Sequence, residues 1–180
     1  MSNDVQLFFS PNQVFKEDIA QKIINALNAE TSEILHLSYS FTHTGIEAAI
    51  EAAIGRGVPY TAAWDKGSTH GGQAKFHDSI VKKGGKIHLV KGFGSYGIMH
   101  AKVFIFGRKL FMGGSFNFTF NAQNNNYEEF LIVTAPDILA IAVTAFQTIY
   151  SNGATEVSGI KRPIVRAVRA MRHALALQGE

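Results

Sequence analysis

A histidine and a lysine stand two residues apart, at His100 and Lys102, within an apolar run that predicts a β-strand over residues 98–106. Because side chains alternate along a strand, both would point to one face, about 6.6 Å apart. At that separation the two groups could act on one phosphate, the lysine as a fixed positive charge and the imidazole as nucleophile or proton carrier. An ordinary amphipathic strand shows the same pair, so the interpretation depends on the residues that follow.

Three further polar side chains follow in order. Ser115 and Asn117 lie in a turn of small residues after the next predicted strand, and their hydroxyl and amide groups can bind phosphate oxygens or hold a histidine in place. Glu128 opens the strand after that and could orient the imidazole, as carboxylates do in catalytic triads. Each residue type is commonplace by itself. Their order and spacing favour a single phosphate-handling site.

Two loops are further candidates for ligand contact. Residues 92–97 satisfy the pattern GxGxxG after a strand, but the next predicted element is another strand, so no helix N-terminus is available for a pyrophosphate. We therefore expect a flexible loop at the edge of the site. The polar loop 65–72 follows a strand of the predicted α/β sheet, where ligand loops usually lie. Lys66 and His70 are its candidates for substrate binding, and a solvated loop is an equal alternative.

The remaining histidines and the serine motif suggest no other chemistry. Residues 113–117 do not match the hydrolase pattern GxSxG, because the last position is Asn117. The other histidines show no metal-ligand spacing, and no metal site or cofactor is expected. They are interpreted as structural or surface residues: His36, His43, His77, His88 and His173.

The composition is that of a globular chain with enough apolar material for one core. Of the 180 residues, 46% are hydrophobic and 17% are charged. The absence of cysteine excludes cysteine nucleophiles and thiolate metal sites. The net charge of +3 and the isoelectric point near 9.2 suit a polyanionic partner.

No apolar run approaches the ~20 residues that cross a bilayer, and the N-terminus has no apolar leader, so we expect a cytoplasmic protein without stable membrane association.

Strands and helices alternate three times in the first half of the chain, which predicts an α/β sandwich with a largely parallel sheet flanked by helices. The second half is rich in strands. A helix over residues 136–150 closes the main domain, residues 1–150. Strands are predicted at 5–9, 33–39, 58–64, 86–90, 98–106, 110–115 and 128–133, and the other helices at 15–29, 44–55, with Thr44 as its cap, and 73–83.

The last segment, residues 151–180, is predicted to be a polar connection followed by an amphipathic basic helix over residues 163–177. This helix could pack on the body or on a dimer partner, contact phosphate backbones, or lie on a membrane surface. Its basic face carries Arg162, Arg166, Arg169 and His173, and its apolar face carries Ile164, Val168, Met171 and Leu175.

Taken together, His100-x-Lys102, Gly114-Ser115-x-Asn117 and Glu128 resemble the signature of the phospholipase D superfamily, and in particular that of its small bacterial nucleases. The family motif has an aspartate five residues after the lysine, where this chain has Gly107. That aspartate has a supporting role in the family, so activity is expected to survive. The resemblance covers about residues 5–150 and includes Phe9-Ser10-Pro11, Tyr39-Ser40-Phe41-Thr42 and Arg56-Gly57-Val58.

The resemblance implies a metal-independent, two-step displacement at a catalytic domain formed by residues 1–150. One histidine attacks phosphorus to give a phosphohistidine, and a second protonates the leaving oxygen. Since the chain has one such motif, a homodimer with a shared site is expected. Lys102 and Asn117 would then bind phosphate oxygens, while Ser115 and Glu128 would position His100.

The expected function is therefore a sequence-nonspecific endonuclease that acts on DNA, with RNA as a second candidate substrate. A phospholipase or other lipid phosphodiesterase is the alternative within the same chemistry. A nucleic-acid-binding module without catalysis is a third hypothesis, prompted by Gly107.

Overall fold

The computed structural model describes residues 4–154. The C-terminal basic helix predicted for residues 163–177 lies outside the described residues. In chain order the elements are β1 (Val5–Ser10), α1 (Asn12–Phe15), α2 (Ile19–Ala29), β2 (Ile34–Ser38), α3 (Thr44–Gly55), β3 (Tyr60–Asp65), α4 (Gly71–Lys82), β4 (Lys86–Val90), β5 (Lys102–Phe106), β6 (Leu110–Gly114), α5 (Phe120–Asn124), β7 (Glu128–Val133) and α6 (Pro136–Ala154).

The strands form one mixed sheet in the order β1-β7-β6-β5-β2-β3-β4. The predicted α/β class, a sheet flanked by helices, is confirmed. The expectation that the sheet is largely parallel is wrong, because only β2–β3 and β3–β4 pair in parallel and the other four neighbouring pairs are antiparallel. The strand β1 runs in the same direction as β2 but lies at the far edge, and the antiparallel strands β5, β6 and β7 separate the two.

Helices cover both faces of the sheet. On one face, α2, α3 and α4 pack over a core that contains Ile23, Ile50, Trp64 and Phe104, all fully buried. On the other face, α6 covers a smaller core with Leu139 and Phe146. The strand β5 lies between these cores, so its residues are buried alternately on both sides. None of the helices among residues 4–154 is both long enough and apolar enough to cross a bilayer.

The helix predicted over residues 15–29 corresponds to α2 but begins later, at Ile19, and the separate short helix α1 precedes it. Lys16 ends α1 in the left-handed region, with φ 61°. Asp18 then caps α2, since its carboxylate accepts a hydrogen bond from the backbone N–H of Gln21 at 2.8 Å. Thr44 was expected to cap the next helix, but the cap of α3 is His43, whose Nδ1 accepts from the N–H of Ile46. An imidazole can accept this bond in place of the usual hydroxyl or carboxylate.

Three features of the second half also differ from the prediction. The strand expected over residues 98–106 begins only at Lys102. The short helix α5 was not predicted, and it is capped by the Thr119 hydroxyl, which accepts from the N–H of Ala122. The helix α6 continues to Ala154, through the first part of the expected connection.

A buried histidine is expected to make the fold sensitive to acid. His36 lies on β2, stacks on Phe104 with ring centroids 3.9 Å apart, and places its Nδ1 2.6 Å from the Tyr60 hydroxyl. Burial lowers the pKa of His36 well below its ordinary value of 6.5. The unfolded chain therefore gains a proton near pH 6.5 that the folded chain excludes, so the stabilisation is complete above this pH and is lost as pH falls through it.

We expect the free energy of unfolding to fall by up to about 1.4 kcal/mol per pH unit below pH ~6.5 through this group. His36→Gln keeps a polar group opposite Tyr60 but does not titrate, so its slope between pH 5 and 7 should be smaller. Urea unfolding at several pH values measures both slopes. Equal slopes in the two proteins would show that His36 does not carry the effect.

Candidate active site

The predicted site residues lie at one edge of the sheet. There β2, β3 and β6 end while β5 and β7 begin, because the latter run in the opposite direction. This edge brings together groups that are far apart in sequence. It carries His100 just before β5, Lys102 at its start, Ser115 and Asn117 after β6, Glu128 at the start of β7, and Lys66 and His70 after β3.

Lys102 places a buried positive charge at this edge. The residue is only 4% exposed, and its ammonium group donates a hydrogen bond to the carbonyl of His100 at 2.7 Å. Its Nζ also lies 5.1 Å from the centre of the Tyr39 ring. Burial lowers the pKa of Lys102, while the nearby Glu128 carboxylate acts in the opposite direction. The ammonium group is thus held by the backbone of His100 and by the Tyr39 ring rather than exposed in water.

His100 is exposed and precedes the strand instead of lying on it. The chain leaves the sheet here because the backbone N–H of Met99 donates to the carboxylate of Asp65, at 2.9 Å. The His100 ring packs against Tyr39, with centroids 4.4 Å apart and planes at 61°. Within residues 4–154 the imidazole makes no hydrogen bond, and because the residue is exposed the ring is accessible to a ligand.

Glu128 and Ser115 form a hydrogen-bonded pair. The Ser115 hydroxyl donates to one carboxylate oxygen of Glu128 at 2.5 Å, and the Asn126 amide donates to the other at 2.9 Å. The Ser10 hydroxyl in turn donates to the carbonyl of Asn126 at 3.0 Å. Both oxygens of the carboxylate are therefore oriented. In the single chain the Glu128 carboxylate therefore accepts hydrogen bonds from Ser115 and Asn126, and not from the His100 imidazole.

Two buried polar atoms at this edge have no hydrogen-bond partner in the described part of the chain. One is Oδ1 of Asn117, and the other is the hydroxyl of Ser38, the register partner of Lys102. Most buried polar side-chain atoms are hydrogen-bonded, so each exception calls for an explanation, such as a role in catalysis or ligand binding. The sequence analysis selected Asn117 but not Ser38.

A buried hydrogen-bond network that the sequence analysis missed fixes the backbone next to His100 and at Tyr39. Asp65, 1% exposed, accepts from the N–H of Met99 with one oxygen and from the N–H of Ser68 with the other, at 2.9 and 2.8 Å. The Ser68 hydroxyl donates to the carbonyl of Tyr39. Gln73 donates to the same carbonyl at 3.1 Å. The available signal was an aspartate that ends a buried strand and precedes a polar loop.

We expect Asp65→Asn to lower the turnover of a phosphodiester substrate about 100-fold, with little change in KM. Asparagine keeps one acceptor, but its amide NH₂ would face a backbone N–H, so the segment before His100 would shift. Steady-state kinetics beside thermal unfolding measures the effect. Asp78→Asn, an exposed position on α4, is the matched control. Wild-type turnover in a folded Asp65→Asn protein would contradict a positioning role.

Gly107 lies at the opposite end of β5 from Lys102. It forms the β5–β6 turn with φ 54°, followed by Arg108 with φ 56°. At ~3.3 Å per strand residue, this turn is more than 10 Å from the site edge. The position that departs from the family motif therefore belongs to a hairpin turn. A Cβ on Gly107 would lie 2.8 Å from the Ser32 hydroxyl and 3.2 Å from the Glu30 carboxylate.

Restoring the family residue, Gly107→Asp, should consequently lower the free energy of unfolding by about 1–2 kcal/mol without raising activity. The loss comes from crowding and from repulsion by Glu30. Gly107→Asn has the same size without the charge and should lose less. Urea unfolding of the three proteins measures the difference, and a gain in stability for the aspartate variant would refute the explanation.

The fold and this edge of the sheet together define a phospholipase D-like phosphodiester hydrolase. A family model described as "Cardiolipin synthase, PLD-like domain" matches residues 23–150. The chain belongs to this family. A comparison with curated protein sequences gives no match.

Solved structures agree with this assignment. Nuc from Salmonella typhimurium, a phospholipase D family member, superposes with a TM-score of 0.71 at 25% identity, over 82% of this chain and 94% of Nuc. NucT from Helicobacter pylori gives 0.76 at 28% identity, over 82% and 96%. The archaeal chromatin protein TrmBL2 shares the fold at 17% identity, with a TM-score of 0.60 over 84% of this chain and 53% of TrmBL2.

Proposed function

We propose that this protein is a metal-independent endonuclease that hydrolyses DNA without sequence preference, with RNA as a second candidate substrate. The observation that carries the proposal is the buried Lys102, whose ammonium group donates a hydrogen bond to the backbone carbonyl of His100, together with the exposed side chain of His100. A phosphodiester carries one negative charge, which the lysine would bind, while an imidazole without hydrogen bonds is available to attack phosphorus.

The reaction would proceed in two displacements. In the first, a nitrogen of His100 forms a bond to phosphorus, the P–O bond to the leaving strand breaks, and the leaving oxygen takes a proton. In the second, water attacks phosphorus, gives up a proton, and releases His100. Lys102 and Asn117 would stabilise the charge on the nonbridging oxygens, and Ser115 with Glu128 would hold the framework around them.

The proton in both steps needs a second imidazole, and a homodimer would supply it. The chain contains one HxK motif, and His100 lies exposed at the edge of the sheet. Two copies related by a two-fold axis would place two such imidazoles on opposite sides of one phosphate. Sedimentation that gives an active monomer would remove this arrangement.

Nucleic acid is the favoured substrate class because cationic groups accompany the site. The chain has a net charge of +3, and Lys66 and His70 are exposed on the loop after β3, at the same edge as His100. These two side chains would contact phosphates beside the one that is cleaved. Their removal should therefore lower the affinity for nucleic acid and reduce the dependence of that affinity on salt concentration. A lipid phosphodiesterase remains the alternative within the same chemistry.

The test is cleavage of plasmid DNA, single-stranded DNA, RNA and phosphatidylcholine vesicles in the presence of EDTA. Cleavage of nucleic acid that survives chelation supports the proposal. Turnover of the vesicles alone would establish the lipid alternative. Binding of nucleic acid without cleavage would instead indicate a binding module. Lys82→Gln, a substitution at an exposed position of α4, serves as the control for the preparation.

A further inference from the structure

The GxGxxG segment forms a closed loop beside the site. The backbone N–H of Gly92 donates to the carbonyl of Gly97 at 3.1 Å, which joins the two ends of the loop. The ends approach so closely that a Cβ on Gly97 would overlap the backbone of Phe93. The glycines are thus explained by a tight stem between two strands, and no nucleotide phosphate is needed to account for them.

The tip of this loop presents two aromatic rings to solvent. Phe93 is 95% exposed and Tyr96 is 99% exposed, the highest values among the exposed large hydrophobic residues in the described part of the chain. Burial of such a ring contributes about 1.5–3 kcal/mol. Two such rings within four residues are left unburied, which is typical of a surface that contacts a partner.

The loop is held next to the candidate active site. Tyr96 precedes His100 by four residues, so their Cα atoms are at most ~14 Å apart. The segment between them is fixed by the hydrogen bond from Met99 to the buried Asp65. On the other side, the N–H of Lys66 donates to the carbonyl of Val90 at 2.8 Å, which fixes the start of the loop. The rings are therefore presented from an anchored base.

The charges around the rings are positive. Lys91 is exposed at the start of the loop, Lys66 is exposed on the neighbouring loop, and residues 91–100 contain no acidic side chain. Aromatic rings combined with cationic groups are the composition with which proteins bind single-stranded nucleic acids, the rings stacking on bases and the cations following the phosphates.

We propose that Phe93 and Tyr96 form a base-stacking subsite that binds unpaired bases next to the cleaved bond. The inference rests on the proposed nuclease function and specifies its substrate as single-stranded nucleic acid. In a duplex each base already stacks on its neighbours, so its faces are not available to these rings. The subsite would thus favour single strands and frayed ends without reading their sequence.

The test compares the wild type with the double variant Phe93→Ala/Tyr96→Ala on three substrates of equal length. These are a single-stranded oligonucleotide, its duplex, and an abasic strand with the same phosphates but no bases. Stacking contributes about 1–3 kcal/mol per base, so kcat/KM for the single strand should fall at least ~10-fold. The values for the duplex and the abasic strand should change little. Ile141→Ala, an exposed apolar position on α6, is the matched control.

Fluorescence anisotropy of the labelled strands provides a readout that does not depend on cleavage. If the wild type cleaves no nucleic acid, the proposed function fails, and tighter binding of the single strand than of the abasic strand still supports the subsite. Equal losses on all three substrates, or no loss, would overturn the subsite alone. A double variant that sediments as a monomer while the wild type is a dimer would overturn it in favour of a contact between copies.

Discussion

Replacement of His100 by alanine is expected to reduce phosphodiester cleavage by ~10⁴-fold or more, the scale of effect seen when a covalent nucleophile is removed. The fold should be unaffected, because the ring is exposed and makes no hydrogen bond within residues 4–154. Rate measurements beside urea unfolding separate the two effects. Residual activity within tenfold of the wild type, in a protein of unchanged stability, would exclude His100 as the nucleophile.

The same variant tests whether the site is shared between two copies. After subunit exchange at equal amounts, only wild-type homodimers would hold two imidazoles at one phosphate, and these make up about one quarter of all dimers. Independent sites in each copy would retain about one half. A denaturing quench at alkaline pH should also trap a phosphohistidine adduct on the wild type and none on His100→Ala.

Lys102→Met should reduce turnover by about 10²–10³-fold, because it removes the fixed charge that would stabilise the phosphate oxygens in the transition state. The same substitution should raise the stability of the protein. Methionine matches the length of the lysine stem and removes the cost of burying an ammonium group, so we expect a gain of about 1 kcal/mol in the free energy of unfolding at neutral pH.

The pH dependence provides a second measure of this buried charge. Burial lowers the pKa of Lys102 below its ordinary value of 10.5. Between the folded value and 10.5 the unfolded chain binds more protons, so the stability of the wild type rises with pH through this range. The advantage of Lys102→Met should therefore shrink as the pH approaches 10.5. Lys82→Met on α4 is the control, and equal stability of the wild type and Lys102→Met at neutral pH would refute the expected cost.

Local sequence patterns were sufficient to predict most elements and the residues of the candidate site. Apolar periodicity reports whether a segment is buried and in which conformation, so all seven strands of the described chain were located to within a few residues. The spacing of His100, Lys102, Ser115, Asn117 and Glu128 was informative because the chemistry of a phosphate needs a cation, a nucleophile and hydrogen-bonding groups together. Strand–helix alternation also indicated the direction of β1, β2, β3 and β4.

Only the tertiary structure decided which strands are neighbours. Alternation predicts that β1 and β2 run in the same direction, yet it contains no information that β5, β6 and β7 separate them. The start of β5 at Lys102 likewise depends on Asp65, which is 34 residues from Met99 in the sequence. Its carboxylate accepts a hydrogen bond from the backbone N–H of Met99, which is then not available to a neighbouring strand. A pattern read along one segment cannot report a hydrogen bond to another.

The same reason explains what was missed at the site. The partners of Glu128, the contact between Tyr39 and His100, and the exposure of Phe93 and Tyr96 all depend on the packing of distant segments. The sequence by itself determined which chemical groups this protein has and roughly which elements carry them. The tertiary structure decided which of those groups are buried, paired or left accessible, because burial and pairing are properties of neighbours in space.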